Sequence, residues 1–327
     1  MGPVGLSLMP LENRRETLLR VATGADRLGY DAFFLPEAWA HDTTVLLAEA
    51  AVRTERTRLG TGILGVWGRS AAQLAMAAAS LHDVSGGRFT LGLGASTAQL
   101  TEGLHDVRFG APTDRMRRVV AQVRALLAGE RIPLSAGNGA RPLKLNLPPA
   151  AGVPIYLAGL ASESIRLAGE VADGWMPFLF PRSRMADGVA LLREGAARAG
   201  GRPLPVICPC MPTVVARDAD EARRGAAWFV AFYLTSMGPF YPRTISRLGF
   251  AREVQAVLEA NTTRGAAVVP PAAEALLDEL LVWGTPDAAR ARLAGWHEAG
   301  AALPILLLPP GLAPAQIDLA LETFSSA

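Results

Sequence analysis

Residues 25–36, ADRLGYDAFFLP, contain the pattern that decides the fold of this 327-residue chain. A helical segment ends at Gly29, because glycine adopts the left-handed conformation after a helix at little cost. The apolar run 32–35 then shows no polar alternation, which is typical of a strand buried on both faces of a parallel sheet. The same succession of helix, glycine, apolar run and proline returns at 167–177, 199–209 and 296–309. The sequence therefore predicts repeating helix and strand units.

Eight apolar runs of this kind are separated by segments with helical periodicity. Eight units in a chain of this length favour an α/β fold of the (β/α)₈ TIM-barrel type over the alternative, an open doubly wound sheet. We interpret residues 1–327 as a single domain with a helical insertion after the seventh strand, at about 228–281. The predicted strands are 4–8, 32–35, 59–64, 89–93, 155–157, 174–176, 206–214 and 305–308.

The composition excludes several classes of protein. Half of the residues are apolar and 19% are charged, unlike a disordered chain. The formal net charge of +2 offers no electrostatic footprint for nucleic acid. The apolar stretches 71–81 and 301–310 are shorter than the roughly 20 residues of a spanning helix, and residues 1–10 show no secretory signal. We therefore expect a cytoplasmic protein whose partner is a small molecule.

Three strand ends are rich in small residues: 60–65 (GTGILG), 92–97 (GLGAST) and 158–162 (AGLAS). In a barrel of this kind, ligands bind at the carboxyl ends of the strands. Glycine lets a ligand approach the backbone amides closely, and such amides can hold an anion at the start of the following helix. The three strand ends together predict a ligand site.

The stretches 30–37 (YDAFFLPE), 58–64 (RLGTGIL) and 81–96 (LHDVSGGRFTLGLGAS) resemble the luciferase-like monooxygenase superfamily. Within it, the chain is most similar to the coenzyme F420-dependent oxidoreductases, the group of methylenetetrahydromethanopterin reductase. The turn 85–88 (SGGR) before a glycine-rich strand is the most specific element. The resemblance covers nearly the whole chain. It implies a (β/α)₈ barrel that binds F420, a deazaflavin, or less often FMN, and that commonly forms a homodimer.

The resemblance also implies where the cofactor binds. It implies a non-prolyl cis peptide between Gly62 and Ile63, which would bulge against the deazaflavin ring. The phosphate would lie against the loop before the helix that begins at Ser162, whose positive end would attract it. The residues mapped to cofactor binding are Gly62, Ile63, Leu64, Gly94, Ala95, Ser96, Gly159, Leu160 and Ala161.

Two ionisable residues after the second strand are the catalytic candidates. Glu37 directly follows an apolar run, where a carboxylate is costly to bury unless it is paired or used. Many F420 enzymes carry a histidine where this chain has Ala38, and His41 is a possible substitute. The alternative for His41 is a place at the start of a helix capped by Asp42. We predict Glu37 or His41 as the proton donor.

A second departure from the family concerns the substrate. The F420-dependent sugar dehydrogenases carry a glutamate where this chain has Thr97, so oxidation of a sugar phosphate is not favoured. The four histidines are scattered without metal-ligand spacing, so no metal is predicted. Cys208 and Cys210 are predicted to be reduced. The predicted substrate pocket consists of Trp39, Trp67, His105 and Phe178, with ordinary loop packing as the alternative for Phe178.

The sequence thus predicts an oxidoreductase that transfers a hydride between reduced F420 and a small organic substrate. In such sites the cofactor carries the chemistry, and the protein positions the reactants and excludes water. Two alternatives stay open. One is an FMN-dependent monooxygenase of the same fold, and the other is a non-catalytic barrel that binds a flavin or a deazaflavin.

Overall fold

A computed structural model describes residues 2–134, 139–263 and 265–325, and its centre is a curled sheet of ten parallel strands. Five of the ten strands are buried at every residue, as expected for a sheet that is covered by helices. The strands are β1 (Gly5–Leu8), β2 (Ala32–Pro36), β3 (Arg58–Gly65), β4 (Phe89–Gly94), β5 (Ile155–Leu157), β6 (Gly174–Trp175), β7 (Val206–Ile207), β8 (Cys210–Val215), β9 (Val282–Gly284) and β10 (Ile305–Leu308).

Helices separate the strands along the chain, which confirms the predicted α/β class. Turns of 3₁₀-helix at 182–184 and 271–273 and a π-helical turn at 246–250 interrupt the regular elements. The α-helices are α1 (Arg15–Arg27), α2 (Thr43–Ala51), α3 (Ala71–Val84), α4 (Ala98–Gly103), α5 (Pro112–Leu127), α6 (Ser162–Val171), α7 (Met185–Arg198), α8 (Ala219–Thr235), α9 (Phe240–Ile245), α10 (Ala251–Ala260), α11 (Ala275–Leu280), α12 (Pro286–Glu298) and α13 (Pro314–Thr323).

The strand order is β7-β6-β5-β4-β3-β2-β1-β10-β8-β9, and the two ends of the sheet meet in one stretch of chain. β7 pairs with β6, and β8 pairs with β10. Between them, the N–H of Cys208 donates to the Trp175 carbonyl, and the N–H of Ile305 donates to the Pro209 carbonyl. Residues 206–215 therefore bond to neighbours on both sides.

Two details differ from the predicted strands. The predicted strand 206–214 is divided at Pro209, which has no N–H to continue the ladder. The three-residue strand β9 was not predicted, because its length gives too little pattern; it pairs with the carboxyl end of β8. Between β8 and β9 the chain forms α8, α9, α10 and α11. The predicted insertion limits of 228–281 stay a prediction, since residue 228 lies inside the continuous helix α8.

Large side chains fill the interior of the curled sheet. The rings of Phe34 and Tyr156 stack with their centroids 6.2 Å apart. A Cβ atom at Gly60 would lie 2.5 Å from the Phe34 ring, and one at Gly174 would lie 2.5 Å from the Tyr156 ring. These strand glycines therefore make room for the two aromatic rings.

Both cysteines are free thiols, as predicted. Cys208 is fully buried in the sheet interior. Burial raises the pKa of the Cys208 thiol far above its usual range, and burial raises the pKa of Cys210 to about 12. Both are therefore protonated and weakly nucleophilic at neutral pH.

In the part of the chain that the structure describes, no helix is long and apolar enough to cross a bilayer.

Candidate active site

A recess of about 310 Å³, counting the space open to solvent, lies at the carboxyl ends of β2, β3 and β4. Parallel strands bring their carboxyl ends to the same face of a sheet, so residues far apart in sequence meet there. The residues that line the recess are Glu37, Ala38, Ile63, Gly65, Trp67, Gly68, Ser96, Leu100, Thr101 and His105.

The third strand bulges at Gly62. Leu35 of β2 pairs with Thr61 of β3, but the next residue, Pro36, pairs with Ile63. The register between β3 and β4 shifts over the same residues. One extra residue on β3 is a β-bulge, a feature that re-aims side chains beside binding sites. A Cβ atom at Gly62 would lie 2.8 Å from the Pro36 nitrogen, so the bulge requires glycine.

The predicted cis peptide between Gly62 and Ile63 was wrong. No peptide bond within residues 2–134, 139–263 and 265–325 is cis. The extra residue of the bulge takes up the change of register with trans peptides, which for non-proline residues are favoured by about 3–4 kcal/mol.

Glu37 lies in the recess as the partner of Arg69. Both terminal nitrogens of the Arg69 guanidinium donate to the carboxylate, with Nη2 2.9 Å from Oε2. The N–H of Thr43, at the start of α2, donates to the same Oε2 at 3.1 Å. The side chains of Glu37 and Arg69 are only 12% and 18% exposed. The side chain of Glu37 is therefore held in place by Arg69 and Thr43.

Arg69 is the residue of this site that the sequence interpretation missed. Its Nη2 also lies 2.9 Å from a carboxylate oxygen of Asp42, so it joins the loops after β2 and β3. The hydrogen bond to Glu37 raises the pKa of Arg69, although burial of the guanidinium opposes this. A lone arginine shortly after a glycine-rich strand end was the available signal.

His41 and Trp39 do not line the recess. His41 is exposed, and its Nε2 lies 2.9 Å from the Asn13 carbonyl oxygen. Asp42 accepts a hydrogen bond from the Thr44 N–H at 2.9 Å and caps α2, as the alternative interpretation expected. Trp39 is 50% exposed. Both side chains would have to move to reach a ligand in the recess.

Trp67 and His105 do line the recess together with Glu37. The Trp67 Nε1 donates to the Ala95 carbonyl at 2.8 Å, and the Arg115 guanidinium lies 5.5 Å from the ring centroid of Trp67. The His105 ring packs over Gly68, where a Cβ atom would lie 2.7 Å from a ring carbon. Two of the four predicted pocket residues are thus brought together.

Phe178 belongs to a separate aromatic cluster. Its ring centroid lies 4.9 Å from that of Tyr233 and 5.8 Å from that of Tyr241. Tyr233 lies on α8 and Tyr241 on α9, so the cluster joins these helices to the chain after β6. Phe178 therefore packs as loop residues ordinarily do, which was the alternative, and it is not among the residues that line the recess.

The residues mapped to the cofactor differ in whether they line the recess. Ile63 and Ser96 line the recess, whereas Leu64 is fully buried in the core. A Cβ atom at Gly94 would lie 2.5 Å from the Ile63 side chain, so glycine lets Ile63 turn toward β4. Ser96 has a φ of +58°, a left-handed conformation that is uncommon for residues other than glycine and that concentrates at functional sites.

The loop after β5 has an open helix start. The Gly159 carbonyl accepts a hydrogen bond from the Trp175 Nε1 at 2.9 Å, which holds the loop. A Cβ atom at Gly159 would lie 2.7 Å from the Ser164 Oγ. The N-cap of α6 is Ala161, which has no side chain to cap the first N–H groups. Such a helix start can bind a phosphate. These residues do not line the recess.

The fold and the recess define a class: α/β proteins with a curled parallel sheet and a ligand site at the carboxyl ends of the strands. The sequence model of the luciferase-like monooxygenases matches residues 4–303. The chain belongs to the luciferase-like monooxygenase family. It is 32% identical over 338 residues to a Mycobacterium tuberculosis protein whose name assigns it to the coenzyme F420-dependent oxidoreductases, covering 95% of this chain and 94% of that protein. The predicted resemblance is confirmed.

Solved structures share the fold over nearly the whole chain. The coenzyme F420-dependent tetrahydromethanopterin reductase from Methanopyrus kandleri has a TM-score of 0.79 at 18% identity, covering 99% of this chain and 98% of that one. The oxygenating constituent of the 3,6-diketocamphane monooxygenase from Pseudomonas putida, in complex with FMN, has a TM-score of 0.75 at 19% identity, covering 99% of this chain and 97% of that one.

Proposed function

We propose that this protein is an F420-dependent oxidoreductase that transfers a hydride between the reduced deazaflavin and a small organic substrate. The observation that carries the proposal is the recess at the ends of β2, β3 and β4, which joins residues mapped to the cofactor with a charged pair and a histidine. The relative from Mycobacterium tuberculosis supports F420 as the cofactor.

The residues present fit a planar cofactor. Gly65 lines the recess, and a Cβ atom there would meet nothing closer than the Ser96 Cβ, at 4.0 Å. The space beside Gly65 is therefore open, and a branched side chain at this position would enter it. We assign the ring to the backbone at 62–64 and 94–96. We assign the phosphate to Gly159, Leu160 and Ala161 at the start of α6, whose dipole favours an anion.

The bound cofactor would supply the hydride chemistry, and the residues of this chain arrange the reactants. Trp67, fixed by its bond to Ala95, forms an apolar wall that excludes water. Glu37 remains a carboxylate beside Arg69, so its oxygens accept hydrogen bonds and orient a substrate N–H or O–H. The ring nitrogens of His105 can give or take the substrate proton, because this ring lines the recess and an imidazole offers both a donor and an acceptor nitrogen.

The two earlier candidates for the proton donor are less well placed. Glu37 is bound by Arg69, and His41 lies outside the lining of the recess. Their role as proton donors is now a proposal that a variant comparison can test. In single-turnover hydride transfer, H105Q should slow the proton-dependent step more than H41Q, and equal effects would contradict the role of His105.

The choice between F420 and FMN decides between the proposal and its alternatives. We expect fluorescence titrations to show tight binding of F420. Substituting Gly65 with Val should weaken that binding by tenfold or more, because the side chain enters the recess. Gly152→Val is the matched control, since a Cβ atom there meets nothing within 4 Å.

Three outcomes would count against the proposal. Tight binding of FMN without binding of F420 favours the monooxygenase alternative, which shares its fold with the FMN complex from Pseudomonas putida. Binding of F420 without turnover of aldehydes, enones or imines favours a non-catalytic barrel. Equal F420 affinities of the Gly65→Val and Gly152→Val variants would place the cofactor outside this recess.

A further inference from the structure

Thr101 carries a buried hydroxyl without a hydrogen-bond partner. The residue lies on the short helix α4, is 1% exposed and lines the recess. Its Oγ1 is covered from water and has no partner within the described residues. A buried hydroxyl that has lost water and gained no partner destabilises the folded chain. Such a group in a binding recess calls for an explanation.

Several other threonines in this chain bond their hydroxyls to the carbonyl four residues earlier. Thr54 and Thr323 are as well buried, and each donates to the carbonyl four residues earlier, at 2.8 and 2.7 Å. The hydroxyl of the exposed Thr235 likewise donates to the carbonyl four residues earlier, at 2.8 Å. Thr101 follows Thr97 by four residues and makes only the backbone bond to it. The Thr101 hydroxyl therefore lacks the bond to the carbonyl four residues earlier that these other threonines make.

Backbone strain marks the same segment of chain. Among the described residues, four other than glycine have a positive φ, and three of them are Ser96, Asp106 and Ala111. These three bracket α4 and the loop that carries His105. Strained conformations of this kind persist where the surrounding structure enforces them, and they cluster at ligand sites. The strain is an observation independent of the unpaired hydroxyl, and it points to the same place.

We propose that the Thr101 hydroxyl recognises the molecule that occupies the recess, by donating a hydrogen bond to a carbonyl oxygen of that molecule. A hydroxyl can donate one hydrogen bond and accept others, and a carbonyl oxygen is a neutral group that takes its hydrogen. An anionic acceptor is disfavoured because the carboxylates of Glu37 and Asp42 already neighbour Arg69. A neutral carbonyl is tolerated by the apolar walls that Ile63, Trp67 and Leu100 form.

The proposal rests on the proposed function, which supplies two possible sources of the carbonyl. One is a carbonyl of the deazaflavin or flavin ring, and the other is a reducible carbonyl substrate. In either case Thr101 on α4 and His105 in the loop that follows α4 both line the recess. The two residues can therefore contact one small polar group.

The experiment compares the wild type with Thr101→Val and Thr101→Ser. Each protein is titrated with F420, with FMN and with 2-cyclohexen-1-one, the last with and without saturating F420, and binding is followed by fluorescence and thermal shift. Valine keeps the shape of threonine and removes the hydroxyl. We expect Thr101→Val to weaken one probe about tenfold, and Thr101→Ser to bind as the wild type does. Loss for F420 identifies the ring carbonyl, and loss for the enone alone identifies the substrate.

Thermal stability separates recognition from folding. Thr101→Val should melt at or above the temperature of the wild type, because a methyl group replaces an unpaired hydroxyl. Thr323→Val is the matched control: it removes a bonded hydroxyl, so it should lower Tm and leave every probe affinity unchanged.

Two results overturn the proposal. The first is that Thr101→Val binds every probe within twofold of the wild type; if F420 binds both proteins tightly, the proposed function stands while this inference fails. The second result concerns the case in which neither F420 nor FMN binds the wild type. In that case the proposed function has failed. The Thr101 proposal is then judged on the enone with the free protein, and equal or absent binding by both proteins overturns it.

Discussion

Arg69 explains how a carboxylate can lie at the end of the apolar strand β2. Its guanidinium satisfies both oxygens of Glu37 and reaches Asp42 as well. Burial by itself would raise the pKa of Asp42, but bonds from Thr44 and Arg69 outweigh it and hold that pKa below its usual value. Three charged side chains thus form one network at the recess.

Replacing Arg69 with Met should lower the free energy of unfolding by about 1–3 kcal/mol at pH 7, because two half-buried carboxylates lose their cation. A carboxyl whose pKa is lowered in the folded state stabilises the fold above its unfolded pKa, and this contribution is lost as the pH falls through the folded pKa. The deficit of R69M should therefore shrink below about pH 4. Urea unfolding at several pH values measures both effects.

Arg20→Met is the matched control for this prediction. Arg20 pairs with Asp318 on the surface, where the two side chains are 45% and 40% exposed. An exposed pair of this kind contributes less than about 1 kcal/mol. Equal losses in R69M and R20M would show that the network at Glu37 has no special energetic role.

The glycines of β3 and β4 let the two strands approach each other beside the recess. The Thr61 hydroxyl donates to the Gly92 carbonyl and accepts from the Gly92 N–H, both at 2.8 Å. A Cβ atom at Gly92 would overlap the Thr61 carbonyl oxygen. The small residues of these strand ends therefore serve strand contact as well as any ligand. The sequence predicted the glycine-rich ends, but it did not distinguish these two roles.

Gly92→Ala should lower the free energy of unfolding by about 1–3 kcal/mol or more, because the backbone of β3 cannot move aside as a side chain could. Thermal or urea unfolding measures the change. Gly110→Ala is the control, since a Cβ atom there meets nothing within 4 Å and φ is not positive. We expect that control to stay within about 0.5 kcal/mol of the wild type. A tolerated Gly92→Ala would refute the close contact of β3 and β4.

At the scale of the whole molecule, the helices α2 and α3 pack together and expose large apolar side chains. Val45 is 66% exposed and Val52 is 71% exposed at α2, while Met76 is 51% exposed on α3. Exposed apolar groups that cluster often mark a protein interface. The family resemblance implies a homodimer, and we propose that this surface joins its two copies.

The dimer predicts a solution mass of twice 34.4 kDa by light scattering. Val45→Glu should shift the mass toward that of one chain, because a twofold interface places the substitution on both sides. Val268→Glu is the control, since Val268 is 47% exposed and belongs to the segment between α10 and α11. A single-chain mass for the wild type would contradict the dimer.

Local pattern determined the class of the fold and the places where small residues end the strands. These features depend on the order of apolar runs, glycines and prolines, which neighbouring residues establish by themselves. Tertiary structure decided the rest: the pairing of Arg69 with Glu37, the break at Pro209, the trans peptide after Gly62, and the exclusion of His41, Trp39 and Phe178 from the recess. These outcomes depend on where each strand ends and on how each loop packs against the rest of the protein. Contacts between distant parts of the chain set both, and no local pattern records them.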